Sequence, residues 1–410
     1  MSVNFIPLSV PNLQGNELNY VTEAITKEWV STAGSYVVAF EENMAKYLNV
    51  STAVACQSGT AGLHVALRLC DVKAGEAVIV PTLTFIAAVN PVKYLGAEPI
   101  FMDCDDSLCL DVEKLSCFCE QECQFDGNIL TDKQTGRRIK AIVVVHVFGN
   151  LANMEHLMQV AEKYHLKVVE DATEALGSYY TSGTYCRRYA GTIGDFGVYS
   201  FNGNKIITTG GGGMIVARRQ EDIAQAKHLT QQAKADEVRF EHDEIGYNYR
   251  MTNLQAALGV AQLEKLEDFI LHKKQNYEYY QKAVNDIRGL RILGFEPEIR
   301  PNYWFYSLQI DADFPMDREE VMAYFQENKI QTRPIWGLIH EQKPYLGSRI
   351  YQIEKATWYW ERILNIPCSS NLSKEDAERV VKVLAEVAKR KKDFYKMAKM
   401  DDCQLVQKEK

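Results

Sequence analysis

The chain reads as an α/β fold, with a large, mostly parallel sheet domain over residues 1–250 and a smaller α+β domain over 251–410. Three observations predict this. Short apolar runs rich in β-branched residues recur through the first half, each ended by polar or turn residues. Helical patterns separate several of these runs, and after about residue 250 the texture shifts to long amphipathic stretches. Near-continuous apolar runs suit strands covered on both faces, and strands alternating with helices indicate parallel crossovers. In such a sheet a ligand is expected beyond the carboxyl ends of the strands.

In chain order, GTAGLHVALRLC (59–70) is a helical pattern, followed by strand-like AVIVP (77–81), PIFMD (99–103) and AIVVVHVFG (141–149). NMEHLMQVAEKYH (153–165) is again helical, and LKVVEDA (166–172), FGVYSF (196–201) and GMIVA (213–217) complete the strand set. Beyond residue 250, one long amphipathic helical stretch covers 252–287 and WFYSLQI (304–310) alternates like a strand. REEVMAYFQEN (318–328) predicts a helix, and SKEDAERVVKVLAEVAKRKK (373–392) a closing one. Ser373 and Asp376 resemble a capping box in which Asp replaces the usual Glu or Gln. The basic run Lys389 to Lys392 falls at that helix's end, where cations suit the dipole, and so reads as a solvated helix end.

A chain of 410 residues exceeds one small module and can bury a core without disulfide or metal staples. Its 46 Lys plus Arg against 54 Asp plus Glu give a net charge of -8, which argues against nucleic-acid and anionic-membrane partners. The opening MSVNFIPLSV lacks a basic, apolar leader pattern, and no apolar run approaches the ~20 residues of a bilayer span. A cytoplasmic location with reduced thiols is expected. The densest of the ten cysteines, from Cys104 to Cys123, include no C-x-x-C pair and no nearby His, so free thiols are expected over zinc. No dinucleotide, P-loop or zincin motif occurs.

Three features carry chemistry. Ser58-Gly59-Thr60 opens a helix, where unpaired backbone N–H groups suit phosphate, although helix capping alone explains such residues. Asp171 stands at the carboxyl edge of a buried strand, a costly place for an acid without a cation or strong donor. By itself it reads equally as metal ligand, catalytic base, salt-bridge partner or acceptor for a protonated pyridine nitrogen. Glu170, one position earlier, faces the opposite way. Lys205, in SFNGNKIITTGGGG (200–213), follows a strand; enclosed in a low-polarity site, such an amine becomes a usable nucleophile. The glycines either let backbone pass close to a bulky group or form a tight turn. Together the three features meet the needs of pyridoxal 5'-phosphate: a cup for the phosphate, an anion for the ring nitrogen and an amine for the aldehyde.

On these residues, and on WVSTAG (29–34), SGTAGLHVAL (58–67), PTLTFIAAVN (81–90), VHVFG (145–149), EDATEALGS (170–178) and GYNYRMTNLQAALG (246–259), the chain resembles the fold-type I sugar-nucleotide aminotransferases of the DegT type. The resemblance spans nearly the whole chain. It implies that Lys205 holds the cofactor and shuttles protons, and that Asp171 pairs with the ring nitrogen. Gly59, Thr60 and Ser200, with Ser58, would hold the phosphate, and Phe85 would stack on the ring. Glu174 stands where the family often has Gln or His, and Asn202 where many relatives have His or Phe. Asn248 would reach the phosphate of a neighbouring subunit, implying a homodimer with shared sites. Arg333 and His340, in QTRPIWGLIHEQKPY, are candidates for contacts to a nucleotide sugar. The similarity is nearest to the subgroup acting on UDP-linked 4-keto-6-deoxy-N-acetylhexosamines, with L-glutamate as amino donor, supplying amino sugars for surface polysaccharides or nonulosonic acids. Family dehydratases replace the lysine with His, so Lys205 favours transamination over dehydration. A regulator that binds the cofactor without turnover is the remaining alternative.

Overall fold

The computed structural model describes residues 4–389 apart from residue 237. Its large sheet contains β1 (Ala53–Cys56), β2 (Ala77–Pro81), β3 (Glu98–Met102), β4 (Arg138–Val145), β5 (Lys167–Asp171), β6 (Phe196–Ser200), β7 (Gly213–Ala217) and β8 (Arg349–Tyr351), ordered β1-β7-β6-β5-β4-β2-β3-β8. Neighbours from β6 to β8 pair in parallel, and β7 runs antiparallel to both β1 and β6. A hairpin of Cys123–Phe125 and Leu130–Asp132 extends from β4. The α/β reading of the sequence therefore describes the fold.

The period-two alternation of strands divides the core into two layers. Val54, Val198 and Ile215 pack on one face with Leu63 and Leu67 of the helix Gly59–Leu69. Ala55, Tyr199, Met214 and Val216 face the other side, against Phe40 and Met44 of the helix Ser35–Leu48 and Ala256 of Asn253–Glu264. Gly197 is obligatory in β6, because a Cβ there would stand 1.8 Å from the Gly191 carbonyl oxygen.

The structure differs from the sequence reading in several places. β1 is too short, at four residues, to stand out as an apolar run. The run AIVVVHVFG leaves the sheet at Val145, since Val147–Gly149 form a short helical turn in which Phe148 takes φ +56°. The long stretch after residue 252 is two helices, Asn253–Glu264 and Leu266–Val284, parted at Lys265 where ψ is -2°. The first lies against Ser35–Leu48, whereas the second turns away to support the small sheet. That sheet is antiparallel, ordered Leu290–Ile292, Tyr306–Ile310, Ile363–Ile366 and Arg333–Pro334. In WFYSLQI the strand begins only at Tyr306. A final helix covers 374–389, and Asp376 N–H donates to Ser373 Oγ at 3.1 Å, one half of a capping box. Of the basic run, positions 390–392 lie outside the described residues.

The two parts of the chain interlock. β8 comes from the second part yet extends the large sheet, while Ile6 bridges to Ile330 and Cys368 N–H donates to the Leu8 carbonyl. Asp103, one residue past β3 and fully buried, is the strongest tie. Its carboxylate accepts from the backbone N–H groups of Glu354 (3.0 Å), Lys355 (2.9 Å) and Ala356 (2.7 Å) at the start of the helix Lys355–Arg362, and from Lys114 Nζ (2.7 Å). Burial alone would raise its pKa, but these donors bring it below the ordinary value.

Cys104, Cys109, Cys119 and Cys123 are buried and Cys117 exposed. Burial pushes the Cys109 and Cys123 thiols up to about 12. Among the described residues no group of His, Cys, Asp or Glu is placed to hold a metal ion, and no helix is long and apolar enough to cross a membrane.

Replacing Asp103 with Ala leaves three helix-start N–H groups without their buried acceptor, while Lys114 keeps Glu354 and the Gln352 carbonyl. The expected loss is about 3–5 kcal/mol in urea unfolding, far beyond an ordinary surface change.

Candidate active site

A cavity of about 760 Å³ opens at the carboxyl ends of β5 and β6, under the small sheet. Ser58, Gly59, Thr60, Phe85, Asp171, Glu174, Ser200, Asn202, Lys205 and Arg333, all singled out from the sequence, line it together.

The anion cup sits at one end. Ser58 adopts an extended backbone and its Oγ accepts from Ala61 N–H at 3.1 Å, capping the helix Gly59–Leu69. That bond leaves the N–H groups of Gly59 and Thr60 without an acceptor among the described residues. Thr173 and Ser200 close in from the side: a Cβ on Gly59 would lie 2.9 Å from Thr173 Cγ2 and 3.0 Å from Ser200 Cβ. A Cβ on Gly213 would lie 2.6 Å from the Ser58 backbone. Gly213 thus serves close approach of two backbones, while Gly210, at φ +75°, serves the turn before the strand. Donors, dipole and shape fit a phosphate group.

Asp171 ends β5, and its Oδ1 accepts Thr173 N–H at 3.0 Å. Burial raises its pKa, with the Thr173 hydrogen bonds and the Lys205 charge pulling back. A buried carboxylate with so few donors is suited to a cationic partner such as a protonated ring nitrogen. Glu170, on the opposite face, is saturated: it accepts from Gly191 (2.8 Å), Ile193 (2.6 Å), Gly194 (2.6 Å) and His146 Nε2 (2.9 Å). Ala152 N–H donates to His146 Nδ1 at 3.2 Å, which places the ring proton on Nε2. Burial would raise the Glu170 pKa, but the His146 and backbone donors leave it lowered.

Glu174 and Lys205 face each other across the cavity floor. Burial pushes the Glu174 carboxyl up to about 7, moderated by the Lys205 charge and by Phe148 N–H, which donates at 2.9 Å. Phe148 is held at φ +56°, a costly conformation for a non-glycine residue, and this aims its N–H at Glu174. Burial lowers the Lys205 pKa, while Glu174 and Asp171 raise it in part. Its Nζ lies 4.2 Å from the ring centroid of Trp304.

Phe85 is 53% exposed, its ring against the open cavity and not in the core. Arg333 is exposed on the small-sheet wall, near Trp336 and Phe305. The structure does not bring two other candidates to this cavity. His340 Nδ1 lies 2.6 Å from Thr82 Oγ1, and Asn248, exposed, bridges to Gln231. Thr173, Trp304 and Asn302 escape the sequence reading. Thr173 lies inside the EDATEALGS motif, but Trp304 merely begins a strand-like run and Asn302 precedes it, so neither carries a local signal.

Residues 11–385 match the DegT/DnrJ/EryC1/StrS aminotransferase family. The chain is 35% identical over 377 residues to the GDP-perosamine synthase of Escherichia coli O157:H7, covering 91% of this chain and 96% of that one. It is 34% identical over 387 residues to the GDP-perosamine synthase of Caulobacter vibrioides, covering 93% and 98%. Among solved structures, the aminotransferase TlmJ from Streptoalloteichus hindustanus superposes with a TM-score of 0.83 at 26% identity, covering 94% and 99%. With a cup for phosphate, an acid for the ring nitrogen and an enclosed amine in one cavity, the chain belongs to the DegT/DnrJ/EryC1/StrS family and is a pyridoxal phosphate-dependent sugar aminotransferase.

Proposed function

We propose that the enzyme moves the amino group of L-glutamate to the carbonyl carbon of a nucleotide-linked 4-keto-6-deoxy sugar, in the service of surface-polysaccharide or related amino-sugar synthesis. The observation that carries this reading is the enclosed Lys205 amine beside two buried carboxyl groups in a cavity roomy enough for a cofactor and a sugar. Bound there, pyridoxal phosphate supplies an aldehyde and an electron-accepting ring. The Gly59 and Thr60 N–H groups, with Ser58, Thr173 and Ser200, hold its phosphate, Asp171 holds the proton on the ring nitrogen, and Phe85 covers the ring. Lys205 is the amine that carries the cofactor. Once freed, its Nζ takes the proton from the α carbon of glutamate and, in the second half of the cycle, returns one to the former carbonyl carbon of the sugar. Glu174, whose carboxyl is poised to be protonated near neutrality, buffers the charge on Lys205.

Arg333, exposed on the cavity wall, is our candidate for contacts to the nucleotide sugar, its guanidinium suiting phosphate oxygens. The acetamido-hexose linked to UDP is our first choice, supported by the motif FNGNKIITTGGGG. A GDP-linked deoxyhexose is the second reading, favoured by the names of the two curated relatives. Asn248 reaches the phosphate of the neighbouring subunit, so the working form is a homodimer. Exposed apolar side chains at Trp29, Val30, Val238, Phe240 and Ile245 support such an interface.

Lys205→Ala is expected to abolish the absorption band of the lysine-bound cofactor and to lower turnover by at least about 10²–10⁴-fold; retention of both would refute the assignment. A panel of UDP-, GDP- and dTDP-linked keto sugars, with mass-spectrometric detection of the amine product, identifies the acceptor. In the cofactor-free protein, Glu174 has a folded pKa near 7 against an unfolded value near 4.5, so its contribution to stability is full below about pH 4.5 and is lost as pH rises toward 7. Wild-type stability should therefore fall relative to Glu174→Gln by up to ~1.4 kcal/mol per pH unit across that window, measured by denaturant titration at pH 5, 6 and 7. Parallel curves would show that Glu174 does not change protonation there.

A further inference from the structure

Trp304 lies outside the regular strand Tyr306–Ile310, yet it is 2% exposed and fixed on three sides. Its indole N–H donates to the Asn204 carbonyl at 2.8 Å, the residue immediately before Lys205. Its backbone N–H donates to Asn302 Oδ1 at 3.0 Å. Asn302, fully buried, donates from Nδ2 to the carbonyls of Glu174 (2.9 Å) and Leu176 (3.0 Å), and its own N–H reaches Ser178 Oγ at 2.9 Å. Gly149, with φ +92°, makes room for that amide, since a Cβ there would lie 2.0 Å from Asn302 Oδ1. One small-domain residue pair thus ties the loop carrying Lys205 to the loop carrying Glu174, and it presents an aromatic face 4.2 Å from the amine.

The reaction requires a stage in which the Lys205 amine is joined to nothing and carries an extra proton. Once Lys205 Nζ has taken the α proton, the resulting ammonium in this cavity needs a place that stabilises charge without trapping it in a tight ion pair. A carboxylate alone would hold it strongly, whereas an indole face attracts a cation through its quadrupole and forms no covalent or hydrogen-bonded link to break. The titratable groups facing Lys205 are Asp171 at the end of β5 and Glu174 in the loop beyond it, with Arg333 on the far wall of the cavity.

We propose that Trp304 is a positioning residue for the transamination, its indole face holding the free Lys205 ammonium between proton transfers and its N–H fixing the loop that presents the amine. The inference rests on the assignment of Lys205 as the reacting amine but not on the identity of the sugar. Its test uses the cofactor-free full-length enzyme: competitive acetic anhydride labelling from pH 6 to 10, with Lys205 acetylation quantified by mass spectrometry. Trp304→Leu removes the aromatic face, so the apparent pKa of Lys205 should fall by about 0.4–1.5 units. Trp304→Phe keeps a ring of lower affinity for cations and should give a smaller fall in the same direction. In the loaded enzyme both variants should lower kcat more than they raise KM for either substrate. A titration of Lys205 unchanged in Trp304→Leu would overturn the proposal. Should that variant fail to fold, an unchanged titration in Trp304→Phe together with wild-type kcat would do so. If the wild-type enzyme turns over none of the keto sugars while Trp304→Leu still shifts the Lys205 titration, the substrate assignment fails and the role of Trp304 stands.

Discussion

An amine and two carboxyl groups enclosed at one end of a parallel sheet is the constraint on which the rest of this structure depends. Each of Lys205, Asp171 and Glu174 loses hydration on burial; the Lys205 charge offsets part of that cost for both acids, the acids do so for Lys205, and Thr173 and Phe148 N–H add hydrogen bonds to Asp171 and Glu174. Their protonation states are therefore set jointly, and a shift of any one side chain would redistribute protons among all three. Such a cluster works only if its geometry is held from outside. Phe148 in a strained backbone conformation, Thr173 beside Asp171, and Asn302 bridging to the Glu174 loop supply that support.

Adjacent residues of β5 illustrate how a strand separates structural from chemical duty. Glu170 and Asp171 are both buried acids one position apart, and the pleat sends them to opposite faces. Glu170 is fully engaged by His146 and three backbone N–H groups, which fold the 191–194 loop against the sheet. Asp171 has one backbone donor and an open side toward the cavity. The difference lies in the supply of donors, not in the side-chain chemistry, and it leaves one acid as a fixed part of the frame and the other available for a cationic partner.

The cavity also depends on the interlock between the two parts of the chain. Its floor belongs to the large sheet, but Trp304, Phe305, Arg333 and Trp336 come from beyond residue 300. Asp103 anchoring the helix Lys355–Arg362, β8 returning to the edge of the large sheet, and the N-terminal segment lying against residues 330 and 368 hold that wall in place. A boundary drawn near residue 250 marks where strand-rich texture ends, and the chain crosses it several times in space.

Local chemistry made much of the site legible. Six apolar runs, a Ser-Gly-Thr helix start, an acid at a strand end and a lysine before a glycine run are each dictated by backbone periodicity or by the needs of a phosphate, a ring nitrogen and an aldehyde, so they appear in the order of residues itself. The split at Lys265, the late start of the strand at Tyr306, the place of His340 beside Thr82 and the role of Trp304 do not, because they follow from which distant surfaces meet. Residue order specified which groups could react; long-range packing alone chose their neighbours, since an indole 99 positions away along the chain becomes a partner for Lys205 only when the small sheet closes over the large one.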